Sequence, residues 1–296
     1  MAFDPLRRRT PAGHVFRPLV TQGALVSGLR LPRYGSGSYF GFLITARCDL
    51  AHIRTDTVNL LPIVPVREWL DFDGAILILL GRLLTLEEKF ADACAKLPEG
   101  LQSLIKDDWS EGFELFVKEN ADVDKQAKVQ LEQIIEEASL LRQVLPTCAQ
   151  GPAAIARASA SYPAFQKLLQ RERQKKLQAL LENKISDCHF LPVVRTNESL
   201  SEAPGYVILF RQILSVSGTL LDPLSSGIAA IDALHPDLRA HAEEVLAPPS
   251  ELLANVQSPH VESILQRFAN LFARVGVEDS SEKYKSWLAN RLCGGG

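Results

Sequence analysis

The chain has 296 residues, a formal net charge of -3 and 46% hydrophobic residues. This is the composition of a folded globular protein, large enough for one big domain or two ordinary ones, and it excludes a chain that is disordered throughout. Five cysteines (Cys48, Cys94, Cys148, Cys188 and Cys293) are odd in number and widely spaced, without a CxxC, which argues against a disulfide framework and for a reducing compartment.

The first residues, MAFDPLRRRTP, lack the apolar core of a secretory signal. The most apolar run, GAILILLGRLLTL at 74–86, is too short to span a bilayer and carries Arg82. The expectation is a cytoplasmic protein with no membrane association. Charge is unevenly spread. Residues 1–54 hold eight arginines against Asp4 and Asp49, whereas residues 55–120 hold thirteen acids against six bases. A basic arm can bind phosphates, or it can pair with the acids downstream.

In chain order, residues 14–67 read as short strands. HVFRPLV and GALVSGLRL alternate loosely, YFGFLITA follows a Gly-Ser turn, and TVNLLPIVPV is a second apolar run. Pro62 and Pro65 cannot donate to a ladder, so this run is predicted at a sheet edge or peeling from one. The middle of the chain changes period. Ile76, Leu79, Leu83, Leu86 and Phe90 recur at helical spacing, although Thr85 with Glu88 could cap a helix that starts later. Ala127, Leu131, Ile134, Ala138, Leu141 and Leu145 step 4-3-4-3-4 like a coiled-coil seam, with Pro146 as the stop. A further helix is predicted from Pro163 to Ile185, apolar on one side and basic on the other. An antiparallel hairpin of these two helices would set Glu132, Glu136 and Glu137 against that basic side.

Strand signal returns in CHFLPVVRT (188–196) and GYVILFRQILSVSG (205–218). The C-terminal part reads as helical. In SPHVESILQRFANLFARVG, Ser258 is placed as N-cap, Pro259 at the first helical position and Gly276 past the end. The predicted fold is α+β: a small discontinuous β-barrel or sheet with an inserted helical hairpin and a helical C-terminal segment. The predicted boundaries are 1–73 plus 186–235 for the β domain, 74–185 for the helical insertion and 236–296 for the C-terminal segment.

Candidate chemistry is sparse. Cys48, Asp49 and His52 bring a thiol, an acid and an imidazole close in sequence. A nucleophilic cysteine needs its thiol pKa lowered, and Cys48 and His52 would touch only across a turn. The alternative is a small hydrophobic side chain at a strand end, with Asp49 capping the turn. Cys188 and His189, added to Cys48 and His52, make four candidate zinc ligands, but neighbours on a strand point to opposite faces. Asp71, Asp73, Asp107 and Asp108 fall near predicted helix starts, where capping is the simple reading. Arg7, Arg8 and Arg9, with Arg171, Arg173, Lys175 and Lys176, are candidate nucleic-acid contacts or a solvated face. No GxxxxGK[ST], GxGxxG, GxSxG or HExxH occurs. The terminal CGGG reads as a flexible end or as a tail able to thread a narrow channel.

The strand–Cys-Asp–turn–strand unit at 41–66, the HFLPVV strand and the SPHVESILQRFANLFARVG helix together resemble a loose group of uncharacterised bacterial proteins found near phage-defence or mobile-element genes. The resemblance covers about a quarter of the chain. It implies a bacterial cytoplasmic accessory protein and supplies no active site. Three function classes therefore stand. The first is a non-enzymatic interaction protein with no cofactor, meeting a partner or itself through helices 122–145 and 259–275. The second is a thiol hydrolase or nuclease-like toxin centred on Cys48, Asp49 and His52. The third is a nucleic-acid-binding protein.

Overall fold

A computed structural model describes residues 20–51, 56–94, 125–192 and 205–273. Its centre is an antiparallel sheet. The strands are β1 (Ala24–Arg30), β2 (Ser38–Leu43), β3 (Thr57–Pro65), β4 (Cys188–Leu191), β5 (Tyr206–Leu209), β6 (Leu214–Ser217) and β7 (Leu252–Asn255). They lie in the order β4-β5-β3-β2-β1-β7, with β6 also paired to β3. Strands from the two distant β-rich stretches thus share one sheet. The fold is mixed helix and sheet, but the expected barrel is not formed.

The edge chemistry of β4 accounts for the open sheet. The Asp187 carbonyl accepts from the Phe210 amide, so by alternation Cys188 and Phe190 turn their backbone groups to the outside edge. There the Cys188 carbonyl accepts from Arg267 Nη2 at 3.1 Å, and the Phe190 amide donates to Asn183 Oδ1 at 2.9 Å. Two side chains thereby occupy positions that a closing strand would need.

The central place of β3 corrects the prediction of an edge strand. Ile44 donates to the Asn59 carbonyl, which directs Asn59, Leu61 and Ile63 toward β2. Pro62 therefore faces the other side. On that side β6 pairs as far as Leu60 and β5 begins at Ile63. The missing N–H falls between two partner strands, where no ladder bond is required. Pro65 turns toward β2, beyond the last β2 pair at Phe40–Ile63.

Alternation along the strands splits the core into two. Val58, Leu60 and Val64 of β3 join Tyr39, Leu43, Val207 and Leu209 on one face. Leu61 and Ile63 join Leu25, Phe42, Tyr206, Ile208 and Phe210 on the other. A bulge in β1 changes the phase: Val26 pairs Gly41 but Leu29 pairs Tyr39, so Val26 and Leu29 both reach the first face. Gly28 sits at this bulge with φ +74, and a Cβ there would meet Ser250 Oγ at 2.1 Å. Only glycine fits both requirements.

Around the sheet lie short helices α1 (Arg47–Ala51) and α2 (Val66–Asp71), long helix α3 (Asp73–Cys94), then α4 (Lys125–Cys148), α5 (Pro152–Ser161) and α6 (Pro163–Leu181). Beyond the sheet's last hairpin come α7 (Leu221–Ser226), α8 (Pro236–Val245) and α9 (His260–Ala273). Helix α3 is continuous; the Thr85 hydroxyl donates to the Gly81 carbonyl one turn back, so it is not a cap. Pro146 stands inside α4, which ends two residues later. In the last turn a missing N–H costs a single bond.

The predicted hairpin of α4 with α6 gives way to a three-helix arm in which α3 packs against both. Ala149, just past α4, lines one cavity with Asp73 and Ile76 at the start of α3, so α4 runs back along α3. The α4 acids meet α3 rather than α6: Glu137 takes Arg82 in a two-point pair at 2.7 and 2.5 Å, while Glu132 and Glu136 are exposed. Helix α6 ends at Asn183, in left-handed conformation at φ 53. Asn183 donates to the Leu180 carbonyl and Lys184 to the Ala179 carbonyl, the Schellman pattern of closure.

Helix α9 covers the second sheet face with Val261 and Ile264. It begins at His260, after a cis Ser258-Pro259 bond, with the Pro259 carbonyl accepting the Ser263 amide. The proposed cap at Ser258 and first position at Pro259 are therefore displaced by about one residue. Strand β7 was not anticipated. It turns the C-terminal segment from wholly helical into a contributor to the sheet.

Candidate functional site

Cys48 is exposed on α1, with its Sγ 3.6 Å from Asp49 Oδ1. That neighbour is an acceptor and offers no positive charge to a thiolate. His52, Arg7, Arg8, Arg9, Asp107, Asp108 and the CGGG end lie outside the described residues. Cys188 packs into the helix-side core, and burial foremost, then Asp187, pushes its thiol up to about 12. His189 takes the opposite face, its ring stacked on Phe210 at 6.5 Å. Burial first, then Arg267 and His260, pushes it down to about 4, so it is neutral. Cys188 and His189 therefore do not converge on one ion. Among the described residues no three His, Cys, Asp or Glu side chains group as a metal site.

Three of the four described basic candidates on α6 have carboxylate partners. Arg173 binds Asp71 at 2.6 Å, and Arg171 and Lys175 share Glu172 at 2.7 and 3.2 Å. Those two cations hold the Glu172 carboxyl below its ordinary range, Arg171 first. Lys176 lines a cavity of about 300 Å3 between α3 and α6, together with Arg82 and Arg171. This is a neutralised surface more than a free cationic one.

The structure assembles a different site at the base of the arm. A cleft of about 250 Å3 is bounded by the 31–35 turn, the α2–α3 junction, the α4–α5 turn, the α6–β4 loop and the β5–β6 turn. Trp69, Ile76, Leu77 and Leu209 give it an apolar wall, and Arg33, Asp73, Asp187 and Arg211 give it charge. Gly151, at φ +148, lets the α4–α5 turn pass the Arg33 carbonyl, which a Cβ would approach to 3.2 Å. Tyr34 donates to Asp73 Oδ2 at 2.5 Å. Burial raises the Asp73 carboxyl, with the Tyr34 hydrogen bond and Arg33 opposing, and burial together with Asp73 raises the Tyr34 hydroxyl. Beside it Tyr39 donates to Glu68 Oε2 at 2.8 Å. The Tyr39 pair ties α2 to strand β2, and the Tyr34 pair ties the start of α3 to the 31–35 turn.

The cleft opens onto one face of α3. Asp73 and Leu77 line it, and Leu80 and Leu84 follow at helical spacing. Leu80 is 40% exposed and Leu84 59% exposed. Compared with known proteins, the chain matches no family model, no curated protein and no solved structure. Among the described residues no helix is long and apolar enough to cross a membrane.

Sequence reasoning did not find this cleft. Asp73 reads as a helix-start acid, and Arg33, Asp187 and Arg211 carry no local pattern. The available hint was compositional: Arg-Tyr at 33–34 and Phe-Arg-Gln at 210–212 place a charged residue beside an aromatic one, the second pair inside the strand-like run 205–218.

Proposed function

We propose that the protein is a non-enzymatic interaction protein that engages a partner protein through the outer face of its helical arm. The observation that carries this reading is the pair Leu80 and Leu84, one turn apart on α3 and open to solvent. Large apolar side chains adjacent on a helix are the usual anchors when a partner docks on it. The α4 seam expected to be free is spent on α3: Leu131, Ala138 and Leu141 are buried there. Most of the α9 apolar side is likewise spent on the sheet, leaving Phe272 exposed at its end. The partner-facing element is therefore α3 rather than helices 122–145 or 259–275.

The setting is taken from the sequence: a bacterial cytoplasm, with phage-defence or mobile-element neighbours as the first place to seek the partner. The test compares the native chain with a Leu80→Glu/Leu84→Glu variant by affinity capture from the host and by light scattering after size exclusion. The native chain is expected to form a complex, with itself or with one captured protein, that the variant loses while keeping its circular dichroism. A native chain that stays monomeric and captures nothing, or a variant that binds equally well, would refute the reading.

A further inference from the structure

The cleft at the base of the arm sets two arginines, Arg33 and Arg211, beside two aspartates, Asp73 and Asp187. Asp187 is satisfied on both oxygens, by Ser186 Oγ at 3.0 Å and Arg211 Nε at 2.7 Å. Asp73 accepts from Tyr34. The guanidinium of Arg211 makes this pairing through Nε, on a side chain 69% exposed. Among the described residues no hydrogen-bond partner meets the Arg33 guanidinium. It lies 3.9 Å from Asp73 Oδ1 and 5.1 Å from the centre of the Phe72 ring. A ring beneath a guanidinium restrains its plane and leaves the N–H edge free. Two arginines thus border a cavity whose two carboxylates already accept from Tyr34, Ser186 and Arg211.

We propose that this cleft binds a small organic carboxylate. Planar bidentate pairing with a carboxylate is the contact an arginine edge is shaped for. The charge count weighs against a double negative charge. Arg33 and Arg211 are balanced by Asp73 and Asp187, so a dianion such as a phosphate monoester would face two carboxyl groups across the cleft. The body of the ligand is apolar, because Trp69, Ile76, Leu77 and Leu209 form the opposite wall. A cavity of about 250 Å3 has the room of roughly eight water molecules at about 30 Å3 each, enough for one ring or a short chain. This inference goes beyond the partner reading and does not depend on it, since Leu80 and Leu84 lie outside the cleft.

The experiment uses the full chain and three probes of one shape: benzoate, benzylamine and phenyl phosphate, each titrated by calorimetry and by ligand-observed magnetic resonance. Benzoate is expected to bind saturably, benzylamine not at all, and phenyl phosphate more weakly than benzoate. Arg33→Gln and Arg211→Gln are each expected to weaken benzoate by about tenfold or more, the size of a lost charge-assisted pair. Arg33→Lys keeps the charge but loses the fork, and is expected to fall between native and Arg33→Gln. The two arginine side chains are 49% and 69% exposed, so the variants should unfold at the native temperature; Arg142→Gln, on the arm away from the cleft, should bind like the native chain. The proposal is overturned if benzoate shows no saturable binding, if benzylamine or phenyl phosphate binds as tightly as benzoate, or if both Arg→Gln variants bind benzoate unchanged.

Discussion

The sheet body and the helical arm are stabilised in different ways. In the body, β3 lies between β2 on one side and β5 and β6 on the other, so residues 57–65 are held by segments about 150 positions away. Its strands bury side chains on both faces; all four residues of β5 are buried. In the arm, α4 and α6 each pack on α3 and on α5, and α3, α4 and α6 each keep a solvent face. The difference bears on function. A body closed on both sides has little surface to offer, whereas an arm with one layer of packing presents exposed apolar and charged groups on a firm support. The cleft lies where the two meet, which is where loops from both can contribute side chains.

Core truncations should separate the two regions most strongly. Phe42 is fully buried in the body and Leu141 fully buried in the arm. Phe42→Ala is expected to cost about 3–5 kcal/mol and Leu141→Ala about 2–5 kcal/mol, from lost burial plus the cavity left behind. Hydrogen exchange would show whether the regions unfold together. Phe42→Ala should raise exchange throughout, while Leu141→Ala should raise it in the arm and leave β2 and β3 protected. Uniform loss of protection in both variants would make the distinction invalid.

A smaller effect is expected from pH, and it belongs to the body alone. His189 is held neutral, with its pKa lowered from 6.5 to about 4, chiefly by burial between Phe210 and α9. The unfolded chain takes up the proton first. Stability is therefore complete above about pH 6.5 and falls as pH drops toward 4, by about 3 kcal/mol at the bottom of that window. Denaturant unfolding of native and His189→Gln chains between pH 7 and 4 would isolate this contribution; the substituted chain should lose less stability on acidification. Equal losses would place the imidazole in a wetter site than the packing indicates.

The smallest effect concerns the arm. Arg82 meets Glu137 with two hydrogen bonds, on side chains 27% and 36% exposed. A double-mutant cycle with Arg82→Met and Glu137→Gln should give a coupling of about 0.5–1 kcal/mol, reduced by added salt. A coupling near zero would mean that apolar packing of α3 on α4 alone sets their alignment.

How much of this was legible in the residues varied with the range of the interaction. Gly-Ser punctuation and β-branched runs located β1 to β4, and one run at 205–218 that the structure divides into β5 and β6. The helical spacing of Leu79, Leu83, Leu86 and Phe90 located α3. The opposite directions of Cys188 and His189 follow from strand geometry, and the structure places them on opposite faces. Pro62 was misleading, because a proline excludes a ladder bond on one side only, and a gap between two partner strands satisfies that as well as an edge does. The seam on α4 was real, but a stripe of apolar residues does not say which helix covers it. Strand β7 is four residues, LLAN, too short to show a period.

Local order was written into the polypeptide by itself: where most segments extend or coil, and that the chain is α+β. These follow from steric and hydrophobic preferences acting over a few residues. The neighbours of each segment were decided only in three dimensions, along with the open edge at β4 and the gathering of Arg33, Asp73, Asp187 and Arg211 into one cleft. Those outcomes depend on long-range packing, in which a side chain contributes through whatever the completed fold sets beside it.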